Sequence, residues 1–431
     1  MASSFLASAR GATWYRDAVR APVAALCCGL LLGGPAIATA SAAPTIHTEE
    51  QAQHDTRGRG ALVSVERLYT LATPEAVTAE LRAAEFEAGT VRHGVVAFRL
   101  VYRTVDPHGR PITASGLLAL PVDAPRRLPA VSFAHGTGSH KDDAPSMRRA
   151  AFLSAPVIAH ASAGAAGIAP DYLGMGKGPG PHPWMDIGSE TTASLDMLRA
   201  ARAFTPRTEH VLDREVMVTG FSQGASAALG LGRALQAGED RWFRLGALAP
   251  ISGAYDFGGT ELPALLDGTV KGKPGVVYTA YTLVAFNRLH HLYDDPAEVF
   301  VDPTVETLFD GAHTGHQIMR GTPDTVTALL TDHGRALLEH PTGRFAQALR
   351  TTDAVCTDWA PRAPIRLYMA IGDEEAIPAN TEQCRTALRR NGVRAPVVDV
   401  GAVDYRGSRH LGSNAAATSE IVRWFGELRR G

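Results

Sequence analysis

Short apolar runs of strand length alternate with longer amphipathic stretches over most of this chain. Val95–Thr104 and Ile112–Val122 read as neighbouring strands joined by Asp106-Pro107-His108-Gly109, residue types that a tight turn requires. Leu128–Ala134 is an apolar run of buried-strand length, halted by His135-Gly136-Thr137-Gly138. Residues 149–163 have helical spacing, Ala166–Ala169 reads as a strand, and 189–204 reads as a helix with Ser189 as its expected N-cap and Glu190 in its first turn. A strand at Arg214–Thr219, a helix at 223–237 and a strand at Leu245–Ser252 follow. This alternation predicts a parallel sheet with helices on both faces. Upstream, Leu62 to about Ala84 has helical spacing, whereas 44–60 is polar and without period.

The alternation stops between Asp256 and about Ala363, where the pattern is helical, broken at Gly and Pro, with aromatics at Phe257, Tyr278, Tyr281, Phe286 and Tyr293. Strands resume at Ile365–Ile371 and Val397–Val403 around a helix of 379–391, and a helix of 414–428 closes the chain. The expected organisation is a core in two parts, 43–256 and 356–431, with a helical cap, 257–355, inserted over the C-terminal edge of the sheet. Open α/β sheets bind their ligands at that edge.

Composition narrows the class of partner. Across 431 residues, 45% are apolar, 20% are charged and the net charge is −2, a soluble globular balance that gives no reason to expect nucleic acid. Small molecules are the expected ligands, and a monomer the expected state. At the N-terminus, Arg10, Arg16 and Arg20 precede an apolar stretch from Ala21 to Ala42 that ends in Ala38-Thr39-Ala40 and Ala40-Ser41-Ala42. This predicts a signal peptide over 1–42, export, and no stable membrane anchor after cleavage; a retained signal anchor is the alternative. Two cysteines then remain, Cys356 and Cys384, and an oxidising compartment predicts a disulfide between them.

The chemistry centres on Gly220-Phe221-Ser222-Gln223-Gly224, which lies between a strand and a helix. A serine at that junction sits on a sharp strained turn, so its neighbours must be small, and Gly220 and Gly224 are. A serine hydroxyl needs a base to take its proton, and the base needs an acid to hold its tautomer. In this architecture the acid follows a late strand and the base the last one. After Ile371 come Asp373, Glu374 and Glu375, of which Asp373 follows the strand most directly and is the expected acid. His410, the only histidine beyond them, is the expected base. The backbone N–H groups of Gln223 and Thr137 are the expected oxyanion donors; a plain glycine turn at Thr137 is the other reading. No cofactor is expected. His290-His291 and His313-x-x-His316 lack the further ligand a zinc site wants, so no metal is expected either.

Several spaced blocks add a resemblance. Asp171-Tyr172-Leu173-Gly174-Met175-Gly176, His182-Pro183-Trp184, Ser189-Glu190 and the helix ending Leu198-Arg199-Ala200-Ala201-Arg202 resemble the signature of the secretory lipase family. His135-Gly136-Thr137, the Ser222 turn and His410-Leu411-Gly412-Ser413 resemble its remaining blocks in the same order. The resemblance implies an α/β-hydrolase fold with a helical cap, an exported serine esterase or lipase acting on ester or lipid substrates, Ser222 as nucleophile and His410 as base. Trp184 stands where the family has Tyr, and the acid loop departs by one residue from the family's D-x-x-V-P spacing. A peptidase of the same fold and a non-catalytic binder of acyl ligands are the alternatives. The cap aromatics fit either an acyl pocket or the cap's own core.

Overall fold

The computed structural model describes residues 58–430; the expected signal peptide lies outside them. One nine-stranded sheet runs through the molecule in the order β1-β2-β3-β5-β4-β6-β7-β8-β9. The strands are β1 Leu62–Leu71, β2 Val95–Val105, β3 Pro111–Pro121, β4 Arg127–Ala134, β5 Ala166–Pro170, β6 Val211–Phe221, β7 Arg244–Ile251, β8 Leu367–Met369 and β9 Val397–Asp399. From β5 onward across the sheet all neighbours are parallel, while β1, β2 and β3 form an antiparallel edge. Helices α1 Pro74–Ala83 and α2 Ala155–Ser162 cover one face with the C-terminal helix Arg409–Leu428, burying Leu81, Ile158, Ile421 and Phe425. The other face carries α3 Ile187–Phe204 and α4 Gln223–Ala237, with Leu195, Leu198, Leu229 and Leu231 inward. This is the α/β arrangement that the alternation predicts.

Four local expectations need correction. The helical spacing from Leu62 to Ala84 is a strand followed by a helix. Register shifts between Leu62 and Ser64 and between Arg67 and Tyr69 each insert one residue into β1. An inserted residue turns the strand's period of two into local steps of three, which imitates a helix. Thr73 then caps α1, with Pro74 as its first residue. The helix expected over 149–163 begins only at Ala155, because Ala150 has φ 47° and breaks any earlier turn. In α3 the N-cap is Asp186, whose carboxylate accepts the Ser189 N–H at 3.0 Å. Strand β9 stops at Asp399, because that side chain accepts the N–H groups of Ile371 and Gly401 at 3.2 and 3.0 Å.

Between β7 and β8 the chain is helical from Phe257 to Thr357, the longest piece being Gly272–His290. Phe257, Tyr281, Phe286 and Phe345 pack with one another into a core of this segment, joined by Trp184 and Met185 from the loop before α3. Most of the aromatics of this segment therefore pack into its own core. Its last helix, Gly343–Thr357, is tied to the helix Ala379–Arg390 by the Cys356–Cys384 disulfide.

Candidate active site

Ser222 sits between β6 and α4 with φ 57° and ψ −123°, a conformation that costs a non-glycine residue of order 1–3 kcal/mol. Its N–H is held by the Ile251 carbonyl at 2.9 Å. The tightness explains its neighbours: a Cβ on Gly220 would lie 2.1 Å from the Gly224 carbonyl oxygen, and one on Gly224 2.0 Å from that of Ala134. Only glycine fits both positions.

The structure brings Ser222, His410 and Asp373 together. Nε2 of His410 lies 2.9 Å from Oγ of Ser222, and Nδ1 lies 3.0 and 2.9 Å from the two oxygens of Asp373. Asp373 is fixed in turn by the N–H groups of Glu375 and Ala376, each at 3.0 Å. Histidine and aspartate are both buried. Burial opposes the imidazolium, but the charge and hydrogen bond of Asp373, with Glu375 and Glu261 further off, outweigh it and raise His410 to about 9.

His410 does not lie in a loop after the last strand. It is the second residue of the helix Arg409–Leu428, whose N-cap is Ser408. Glu374 explains the early start: its carboxylate accepts the Ser408 hydroxyl at 2.5 Å and the Arg409 N–H at 3.2 Å, an anion on a helix N-terminus. Glu375 instead accepts from the Tyr278 hydroxyl at 2.5 Å. Of the three carboxylates, Asp373 alone has oxygens on the His410 ring.

Both expected oxyanion residues line the small cavity at Ser222. Thr137 is steadied by Trp184, whose Nε1–H donates to Thr137 Oγ1 at 3.0 Å, and the Tyr172 hydroxyl donates to the His135 carbonyl at 3.0 Å. The Asp171 block thus braces this loop, while Asp171 itself is fully buried and accepts from the hydroxyls of Ser115 and Ser146 at 2.6 and 2.5 Å. The Gln223 side chain points away from chemistry: its Nε2 donates to Glu190 Oε1 at 2.6 Å and to His182 Nε2 at 2.9 Å. His182 can accept there because its Nδ1–H is given to the Leu173 carbonyl at 2.9 Å.

Two buried carboxyls were not legible as neighbours of the site. Glu190, behind Gln223, is raised to about 8 by burial, and Glu261, which lines the Ser222 cavity and accepts from Asn380 at 2.5 Å, is raised to about 8 for the same reason. Burial thus favours the protonated form of each. Trp184, Met185, Phe257 and Tyr278 close the remaining sides, leaving a cavity of about 20 Å³, room for roughly one water. A serine, an imidazole and a carboxylate in this relation can carry out acyl transfer.

No protein-family model matches this sequence, and no curated protein matches it at sequence level. Solved structures do match. The rice cell wall degrading esterase LipA of Xanthomonas oryzae superposes with TM-score 0.74 at 26% identity, over 86% of this chain and 99% of that one. A hydrolase candidate from Legionella pneumophila gives 0.76 at 22% identity, over 86% and 98%. Lipase A of Candida antarctica gives 0.58 at 15% identity, over 80% and 77%. The chain therefore has the α/β-hydrolase fold that lipases and esterases share, with a mostly parallel sheet and helices on both of its faces.

Proposed function

We propose that this chain is an exported serine hydrolase of carboxylic esters, a lipase or esterase of the secretory lipase type. The observation that carries the reading is the contact of His410 Nε2 with Ser222 Oγ, backed by Asp373 on Nδ1. In the proposed reaction, His410 takes the Ser222 proton as Oγ adds to the ester carbonyl. The oxyanion faces the N–H groups of Gln223 and Thr137, and Asp373 stabilises the imidazolium. The intermediate collapses, the alcohol leaves with the proton from His410, and water repeats the cycle on the acyl-enzyme to release the acid.

Export is supported by the charged and apolar order of the first 42 residues and by the disulfide. Among the described residues no helix is long and apolar enough to cross a membrane. The likeness to an esterase at 26% identity supports esters over peptides as substrates. The test is p-nitrophenyl acetate hydrolysis by the wild type and Ser222→Ala. A loss of roughly 10⁴-fold or more is expected, and unchanged turnover in the variant would sink the proposal.

A further inference from the structure

The cavity at Ser222, about 20 Å³, holds little more than a water-sized group in this conformation, so an ester chain of several carbons needs room beyond its wall. Most of the wall is pinned. Trp184 is hydrogen-bonded to Thr137 and stacked on Tyr281 with ring centres 4.9 Å apart. Tyr278 is held by Glu375, and Glu261 by Asn380, each at 2.5 Å. The Met185 side chain has no polar partner, and a thioether on three rotatable bonds changes rotamer easily. Its backbone, at φ 63°, is in the left-handed region that a non-glycine residue adopts only when its surroundings impose it.

Met185 also lines a second cavity, of about 410 Å³, and is the one residue that the two linings share. That volume is in the range of small-molecule sites. Ile187, Phe286, Leu289 and Ala348 line it together with Asp186, His290, Arg344 and Gln347, and apolar surface predominates. Leu265 is the competing partition, since it lines both the Ser222 cavity and a different cleft of about 500 Å³. That cleft has Asp267, Lys271, Asp324 and Arg335 beside Leu266, Val270 and Val276, so its lining is as polar as it is apolar and suits a hydrocarbon less well than the mainly apolar lining at Met185.

We propose that the cavity behind Met185 is the subsite for an unbranched aliphatic chain of the ester, and that the Met185 side chain is the partition that swings aside to admit it. This rests on the ester-hydrolase reading. It assigns chain-length selection to one residue between two cavities.

The test compares kcat/KM for decanoate and acetate p-nitrophenyl esters, and in a second arm for decyl and ethyl acetates. Leu289→Trp, which fills the outer cavity from a half-buried position, is expected to lower the long-to-short ratio by about tenfold or more, and Met185→Ala to raise it severalfold. The arm in which the ratio moves tells whether the chain belongs to the acyl or the alcohol part. Ratios unmoved in both arms, with acetate still hydrolysed, overturn the subsite alone. So does a ratio moved by Leu265→Ala and not by Met185→Ala. If the wild type hydrolyses no ester in either arm, the hydrolase reading falls and the subsite with it.

Discussion

Trp184 donates its indole N–H to the hydroxyl of Thr137 at 3.0 Å, linking the segment before α3 to the loop that faces Ser222. A tyrosine cannot be assumed to make this bond, since its hydroxyl projects from a different place on a smaller ring. Trp184 is thus tied to the loop proposed to supply an oxyanion donor. Trp184→Phe keeps most of the stacking on Tyr281 and removes the donor. Because a neutral hydrogen bond contributes about 0.5–1.5 kcal/mol net, kcat is expected to fall by roughly 2- to 10-fold with KM little changed. Steady-state kinetics on a short ester checks this, and equal kcat would dissociate the indole from catalysis.

The carboxylates 373–375 separate into different duties, and substitution should separate them too. Asp373→Asn removes the charge and turns one of the two oxygens facing His410 Nδ1 into a donor, which favours the wrong tautomer, and is expected to lower kcat by about 10⁴-fold. Glu374→Gln loses an anion at a helix N-terminus, so its main effect is expected on stability, about 0.3–1 kcal/mol. A kcat for Glu374→Gln as low as that of Asp373→Asn would reassign the acid.

How much of this was legible without coordinates depends on how local each constraint is. The Ser222 turn was legible because a strained backbone demands glycine on both sides within five residues, and the flanking strand and helix show their own periodicity. His410 was legible by elimination, but not its place in a helix, because that helix starts where Glu374, 34 residues before Ser408, reaches its N-terminus. Strand β1 was misread because its bulges break the alternation that identifies strands. Glu190 was legible as a first-turn residue and part of a signature block but not as a buried neighbour of the site, and Glu261 and Met185 gave no signal: burial beside a site is a property of tertiary packing, not of spacing.

The pH dependence follows from His410. Its neutral form is the base, and its pKa is raised to about 9, so kcat/KM is expected to rise through neutral pH and level off only in the alkaline range. The stability sign is opposite. A histidine raised above its unfolded value of about 6.5 stabilises fully below that pH, and the contribution is lost as pH rises towards 9. A pH–rate profile that levels off below pH 6.5 would contradict the arrangement.

Glu190 adds to the same stability trend. With its folded pKa at about 8, the unfolded chain loses the proton first, so stability declines as pH rises from about 4.5 to 8. Glu190→Gln can still accept from Gln223 and carries no titrating proton. Its melting temperature is expected to match the wild type near pH 4.5 and to exceed it by pH 8, as read by thermal denaturation at both values.

The disulfide joins residues 28 apart and ties the helix Gly343–Thr357 to the helix Ala379–Arg390 that follows β8. Reduction, or Cys356→Ser with Cys384→Ser, is expected to cost about 3–4 kcal/mol. Denaturant unfolding with and without reductant measures it, and coincident curves would show that the crosslink contributes nothing.

Covalent labelling tests the central claim most directly. The wild type treated with a fluorophosphonate should gain one phosphonyl group, carried on the peptide containing Ser222, as read by intact-protein and peptide mass spectrometry. Ser222→Ala and Asp373→Asn should label not at all or far more slowly. A folded wild-type chain that stays unlabelled, or labelling that persists in Ser222→Ala, would contradict the assignment of Ser222 as the nucleophile.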